Sequence, residues 1–169
     1  MGDIGVFTTI KVTNGVPLYF DKHQTRLLSE AKALGLRIPD FSKETILNYI
    51  KTNNLTNCAL RITIQNGLSI HHRQLPEEKS IIAITIEDTR NNLKIFKTTD
   101  RSVNDKAQKL AIENVAEDAL FVYENNIIES TYANVFSIDT DGTIITPPIE
   151  GKGLNGIARQ VLMEHLPVR

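Results

Sequence analysis

Leu93-Lys94-Ile95-Phe96-Lys97-Thr98-Thr99-Asp100-Arg101 lies beyond the midpoint of a 169-residue chain. Read as a strand, side-chain alternation puts Leu93, Ile95 and Lys97 on one face. A lysine that shares a face with two apolar residues points inward. Burial there disfavours its charged form and lowers its pKa, as a lysine that forms an imine requires. The alternative is a lysine at a strand end whose ammonium reaches back to solvent.

Upstream, Gly5-Val6-Phe7-Thr8-Thr9-Ile10-Lys11-Val12 is dense in β-branched and aromatic residues and ends at Asn14-Gly15, a hairpin-type turn. It predicts a strand. Val16 to Phe20 predicts a short returning strand. Asp21 stands as the N-cap of a helix running to Leu34, with Gly35 as its stop and Leu27, Leu28, Ala31 and Leu34 on one face. Ser42 is placed to cap a second helix in which Ile46, Tyr49 and Ile50 share a face. Ala59 to Ile64 alternates as a strand and meets a turn at Asn66-Gly67, and Ser80 to Ile86 predicts another strand. The polar segment Glu87 to Asn92 is the best boundary. It separates a small N-terminal α+β domain over 1–87 from a larger domain over 92–169.

Downstream, Asn104 through Ala116 predicts a helix with Ala107, Leu110, Ala111 and Val115 inward. Strands follow at Leu120 to Tyr123, Ile127 to Ser130 and Asn134 to Asp139, with Asn125-Asn126 and Asp141-Gly142 as tight turns. Thr143 to Thr146 closes a hairpin before Pro147-Pro148. A last helix starts near Asn155 and carries Ile157, Val161, Leu162 and Leu166. This order of strand-rich and helical segments indicates an α+β fold rather than regular βαβ units.

Hydrophobic residues make up 41% and charged residues 23% of the chain, with a formal net charge of -1. No block of one sign suggests a nucleic-acid or polybasic membrane partner. Cys58 is the only cysteine, so no internal disulfide forms and a reducing cytoplasm is the expected setting. Asp3 and Thr8-Thr9 interrupt any signal-like run, and no stretch reads as a membrane span.

Other residues could carry chemistry. Glu129, in Ile127-Ile128-Glu129-Ser130, is either a solvent-facing strand glutamate or a carboxylate that faces a pyridinium nitrogen and keeps the ring protonated. Gly153-Leu154-Asn155-Gly156-Ile157-Ala158-Arg159 opens a helix whose first N–H groups suit a phosphate, or is a routine Asn-capped helix start. It lacks the lysine of a nucleotide-binding P-loop. Arg26 is either a phosphate clamp or a surface charge. His71-His72 point different ways along a strand and have no partners at ligand spacing, so no metal site is expected. No nucleophile elbow frames a serine.

Taken in order along the chain, these motifs resemble the class IV aminotransferase-like enzymes, the pyridoxal-phosphate enzymes of fold type IV. Gly2-Asp3-Ile4-Gly5-Val6-Phe7-Thr8-Thr9 resembles the opening strand motif of that family, and His23-Gln24-Thr25-Arg26-Leu27 its arginine helix. Lys97-Thr98-Thr99-Asp100-Arg101 resembles the lysine motif, with Asp100 where Asn is usual. Glu129-Ser130-Thr131-Tyr132-Ala133-Asn134-Val135-Phe136 resembles the glutamate motif. Thr146-Pro147 and Gly153 to Arg159 resemble the strand and phosphate cup that follow. The resemblance implies a small domain plus a larger, barrel-like one that is incomplete here. It implies that Lys97 carries pyridoxal 5'-phosphate as a Schiff base and shuttles protons, and that Glu129 faces the ring nitrogen. It also implies that Arg26, Asn134, Gly156, Ile157 and Ala158 bind the cofactor, and that Phe7, Thr9 and Lys11 line the pocket of a small amino substrate in a homodimer.

Phe7-Thr8-Thr9 and Leu154-Asn155-Gly156-Ile157-Ala158-Arg159-Gln160 are more similar to aminodeoxychorismate lyases than to aminotransferases, many of which have threonine where Ala158 stands. The expected reaction is conversion of 4-amino-4-deoxychorismate to 4-aminobenzoate and pyruvate, a step toward folate. A branched-chain or D-amino acid aminotransferase and a non-catalytic remnant on the same scaffold are the rival readings. Family members usually have a leading strand before the Gly-Asp motif and continue past the last helix, whereas this chain stops at Arg169. An incomplete barrel would expose strand edges and apolar surface for a dimer, or a short-form fold, to cover.

Overall fold

The computed structural model describes residues 4–90 and 92–169. Met1 to Asp3, which include the start of the opening motif, and Asn91 lie outside the described residues. Two compact units divide the chain, one of residues 1–78 and 97–100 and the other of 79–96 and 101–169.

The first unit is a four-stranded antiparallel sheet backed by two helices. Its strands β1 (Val6–Thr13), β2 (Val16–Pro17), β3 (Cys58–Ile64) and β4 (Leu68–Arg73) lie in the order β2-β1-β3-β4. The alternation of β1 sends Val6, Ile10 and Val12 into the core beside Leu60, Ile62 and Ile64 of β3. Helices α1 (Phe20–Ala33) and α2 (Lys43–Thr52) cover that face with Phe20, Leu27, Ala31, Ile46 and Ile50. Each large apolar side chain so buried contributes roughly 1.5–3 kcal/mol. Ser42 caps α2 as expected, in a reciprocal pair with Thr45.

Helix α1 begins differently from its prediction. The returning strand stops at Pro17, and the chain turns so sharply that Tyr19 caps the helix in left-handed backbone (φ 52°), without a side-chain cap. Asp21 therefore falls inside the first turn, where its charge still favours the helix dipole. Because β2 pairs only with Val12 and Thr13, the other end of that β1 edge is open. Residues 97–99 fill it: Phe7 N–H donates to Lys97 O (2.8 Å), Thr99 N–H to Gly5 O (2.8 Å), and Val6 bridges Thr98.

The second unit holds a sheet of β5 (Ala83–Glu87), β6 (Asp118–Tyr123) and β7 (Asn126–Ser130), in which β5–β6 is parallel and β6–β7 antiparallel. A small ladder joins β8 (Ser137–Ile138) to β9 (Ile144–Ile145). Helix α3 (Ser102–Glu113) packs Ala107 and Ala111 onto Ala119 and Phe121 of β6. Helix α4 spans Ile157–His165. No helix among the described residues is long and apolar enough to cross a membrane.

Several expectations change here. Strand β5 pairs with β6, so the structural division comes before Lys79 rather than at 87–92. Residues Asn92–Ile95 form a 3-10 turn rather than a strand, and Ile95 is exposed, so period-two parity does not orient Lys97. Leu110 is exposed because α3 turns Ala107 and Ala111 inward and leaves it off that face, and Val115 is exposed because α3 ends at Glu113 and Val115 takes left-handed backbone in the turn after it. The β6–β7 turn is Glu124-Asn125, one residue earlier than expected, with both at positive φ. Asn134 does not start a strand; it forms an isolated bridge to Glu129.

Candidate active site

In the first unit the candidate groups gather around β1. Its outer face carries Phe7, Thr9 and Lys11; Phe7 is buried, Thr9 half-buried and Lys11 exposed. Lys97 is held by its backbone. Its carbonyl accepts from Phe7, and its N–H donates to Glu30 Oε2 at 3.2 Å. Its Nζ lies 4.9 Å from the centre of the Phe7 ring. Arg61 of β3, which the sequence reading passed over, pairs in register with Thr9 and stacks its guanidinium 3.7 Å from the same ring. Two cations therefore flank one aromatic ring, an arrangement worth about 0.5–2 kcal/mol for each contact.

On the inner face, Thr8 organises the arginine. Arg26 NH2 donates to Thr8 Oγ1 at 2.9 Å, and His23 Nδ1 shares that hydroxyl at 2.7 Å. Glu30 lies 3.7 Å from Arg26 Nε, too long for a hydrogen bond, and this buried Nε has no hydrogen-bond partner. Burial pushes the Glu30 carboxyl up, against the pull of Arg26 and Lys97, and pushes the Arg26 guanidinium down. Burial also lowers His23 to about 4, with Arg26 and Lys97 adding to the effect, so the ring is neutral at pH 7.

In the second unit the candidates converge on Glu129. Strand β7 carries it inward, 5% exposed, opposite Phe121 of β6. A tight turn follows: Ser130 Oγ accepts from the N–H groups of Tyr132 (3.2 Å) and Ala133 (3.0 Å). The turn brings Asn134 back beside Glu129. Asn134 Nδ2 donates to Leu154 O at 2.8 Å and reaches Glu129 Oε2 at 3.5 Å, an oxygen that also accepts from Leu154 N–H at 3.1 Å.

The glycines after it are there for space. A Cβ on Gly153 would meet the Glu129 carboxylate at 3.3–3.4 Å, and one on Gly156 would run into Asn134 Oδ1. Gly156 is itself the cap of α4, in extended backbone and without a side-chain hydrogen bond. The Asn-capped alternative is therefore not what the chain adopts. Ile157 and Ala158 stand in the first turn of α4, where backbone N–H groups have no carbonyl a turn earlier to receive them.

The structure also supplies residues to which the sequence reading gave no role. Arg90 NH1 donates to Glu129 Oε1 at 2.6 Å, while its Nε and NH2 grip Asp88 at 2.9 and 3.1 Å. Lys94 Nζ donates to Asp88 Oδ2 at 3.0 Å. The sequence signal was the Asp-x-Arg step directly after a strand, where an aspartate commonly folds back on the N–H two residues on. It does so here, Arg90 N–H to Asp88 Oδ1 at 3.0 Å.

The residues present fit pyridoxal phosphate. In the second unit an uncapped helix start beside a glycine cradle suits a phosphate, and in the first unit an arginine with an unpartnered buried N–H does so separately. A buried carboxylate suits a ring nitrogen, and a half-buried lysine suits an aldehyde carbon.

Residues 5–169 match the family model described as amino-transferase class IV. A solved structure from Legionella pneumophila, provisionally named a 4-amino-4-deoxychorismate lyase, superposes with a TM-score of 0.86. It is 27% identical and covers 95% of this chain and 68% of that one. A Methanocaldococcus jannaschii protein, provisionally named a branched-chain-amino-acid aminotransferase, is 26% identical over 95% of this chain. A D-alanine aminotransferase of Staphylococcus epidermidis is 25% identical over 94% of it. The chain spans 64% of the length of each of these two curated relatives.

Proposed function

Because the chain belongs to the class IV aminotransferases, a pyridoxal-phosphate-dependent enzyme family, we propose that it acts as a lyase. In this reading it converts 4-amino-4-deoxychorismate to 4-aminobenzoate and pyruvate, a step toward folate. The observation that carries the reading is the outer face of the first sheet, where Arg61 of β3 stacks on the Phe7 ring of β1 and Lys11 extends the row. The substrate carries two carboxylates, one on its ring and one on the enolpyruvyl group, and Arg61 and Lys11 supply two cations on that face, one more than the single carboxylate of a short aliphatic amino acid calls for. The Legionella structure's provisional name agrees.

Pyridoxal phosphate, when bound, supplies an aldehyde that takes up amines and a ring that draws electrons from the adjacent carbon. Lys97 Nζ would hold that aldehyde and, once the substrate amine had displaced it, would take the proton from the amine-bearing carbon of the substrate. The C–O bond to the enolpyruvyl group would then break, leaving an aromatic ring, and the departing enolpyruvate would take the proton from Lys97 Nζ to become pyruvate. Glu129 accepts the ring N–H, and Asn134 keeps the carboxylate in place. Arg26 and the N–H groups of Ile157 and Ala158 hold the phosphate, and the glycine at 156 lets it approach. Thr9 and Lys11 orient substrate, Lys11 through a carboxylate. The working form in this reading is a homodimer.

A specific observation favours a second reading. The curated relatives described above carry aminotransferase names. Transamination needs a 2-oxo acid acceptor and the lyase does not, so pyruvate release from aminodeoxychorismate without acceptor separates the two. The first experiment is borohydride reduction of the full chain with pyridoxal phosphate, followed by peptide mapping. An adduct on Lys97 supports either enzyme; none, or scattered labelling, leaves a non-catalytic remnant.

A further inference from the structure

A buried row of alternating charge runs behind Glu129 in the second unit. It reads Lys94, Asp88, Arg90, Glu129, joined by contacts of 3.0 Å, 2.9 Å and 2.6 Å. The Asp88 side chain is fully buried, those of Arg90 and Glu129 are 7% exposed, and that of Lys94 is 12% exposed. Arg90 cannot swing, because its guanidinium is forked onto both Asp88 oxygens and stacked 3.9 Å from the Phe121 ring. Two cations and two anions leave the row neutral.

We propose that Arg90, backed by Asp88 and Lys94, is a positioning residue. It fixes the orientation of Glu129 and sets how much negative charge that carboxylate presents to a ring nitrogen. This rests on the reading that Glu129 faces that nitrogen.

The physical case is the strength of a charge–charge interaction in a dry site. Arg90 alone would draw the Glu129 charge toward itself and weaken its hold on a proton beyond it. Asp88 offsets Arg90, and Lys94 in turn offsets Asp88. Each member therefore moves the proton affinity of the ring with a sign fixed by its place in the row. Arg90 occupies Oε1, and Leu154 N–H meets Oε2, so the carboxylate plane cannot rotate freely.

The test is nitrogen NMR of the full chain loaded with ring-15N pyridoxal phosphate, titrated with pH. Asp88→Asn lowers the midpoint at which the ring nitrogen loses its proton by about one pH unit, a tenfold change in affinity. Lys94→Met raises it. The opposite signs are what a purely structural role would not produce, since both variants loosen the same row. Asp88→Glu, which keeps the charge, restores the parent midpoint. Should D88N fail to fold, Lys94→Met at the more accessible end still reads the sign. Parent-like midpoints in D88N and K94M, alongside a displaced signal in Glu129→Gln, overturn the proposal and leave the Glu129 reading standing. An unchanged signal in E129Q overturns both.

Discussion

Gly156→Ala tests the cradle at its tightest point. The backbone of Gly156 is extended (φ −63°, ψ 145°), so alanine fits it without strain. The obstacle is the neighbour: the new Cβ would lie far inside contact of Asn134 Oδ1 and 3.4 Å from its Cγ. The Asn134 carboxamide then has to retreat by roughly 1 Å. That breaks its 2.8 Å hydrogen bond to Leu154 O and frees its grip on Glu129. A partly buried carbonyl that loses its donor costs about 1–3 kcal/mol. For a domain of this size, 2 kcal/mol lowers the melting midpoint by about 4–8 °C. The assay is thermal unfolding, paired with spectral titration of pyridoxal phosphate, which should weaken about tenfold or more as the start of α4 shifts. A double-mutant cycle gives the decisive number. Asn134→Ala removes both the obstacle and the hydrogen bond, so adding G156A to it should cost almost nothing further. Additive losses, or a single mutant melting within about 1 °C of the parent, refute the argument.

Lys97→Ala should abolish the borohydride-trapped adduct and bring turnover to background, while the backbone bonds at 97 keep the fold; a surviving site-specific adduct elsewhere would remove Lys97 from its role. His23 has a folded pKa of about 4 against an ordinary 6.5, so the unfolded chain binds its proton more readily. Its contribution is intact above 6.5 and is lost as pH falls toward 4, on the order of 3 kcal/mol at full extent. His23→Gln should flatten that part of a urea-denaturation pH profile, and an unchanged slope would count against it. Arg61→Ala should raise KM for an anionic ring substrate by about tenfold with a smaller effect on kcat; equal loss for a neutral amino acid would point to a structural role. Leu27→Ala, at a fully buried position, should cost about 2–5 kcal/mol in equilibrium unfolding.

The legible parts of the sequence were those where local chemistry and tertiary packing agree. The alternation of β1 and β3, the face of α1 and the capping of α2 follow from side-chain periodicity and one serine. The illegible parts depend on distant partners. Lys97 took its place by hydrogen bonding to the open end of β1, ninety residues earlier in sequence, so a local strand pattern was the wrong cue even though the residue is half-buried. Asp88 and Arg90 fell in the polar segment read as a boundary, because charges in isolation suggest water. Only Phe121, Glu129 and Lys94 together make their burial tolerable. Val115 looked like a core residue at helical spacing, yet the helix had already ended.

The spacing of the glutamate motif has a physical reason that follows from these contacts. The Ser130 hydroxyl closes the chain into a turn by accepting two N–H groups, and that turn sets Asn134 against Glu129. One residue more or fewer would turn the carboxamide away from Leu154, and the Glu129 carboxylate would lose its brace on one side. Gly153 and Gly156 follow from the same crowding, since the carboxylate and the carboxamide occupy the space where side chains would stand. The glycines thus answer to Glu129 and Asn134 as much as to any ligand. A chain that keeps Glu129 and Asn134 but loses either glycine should therefore lose the shape of the cradle before it loses the fold of the unit.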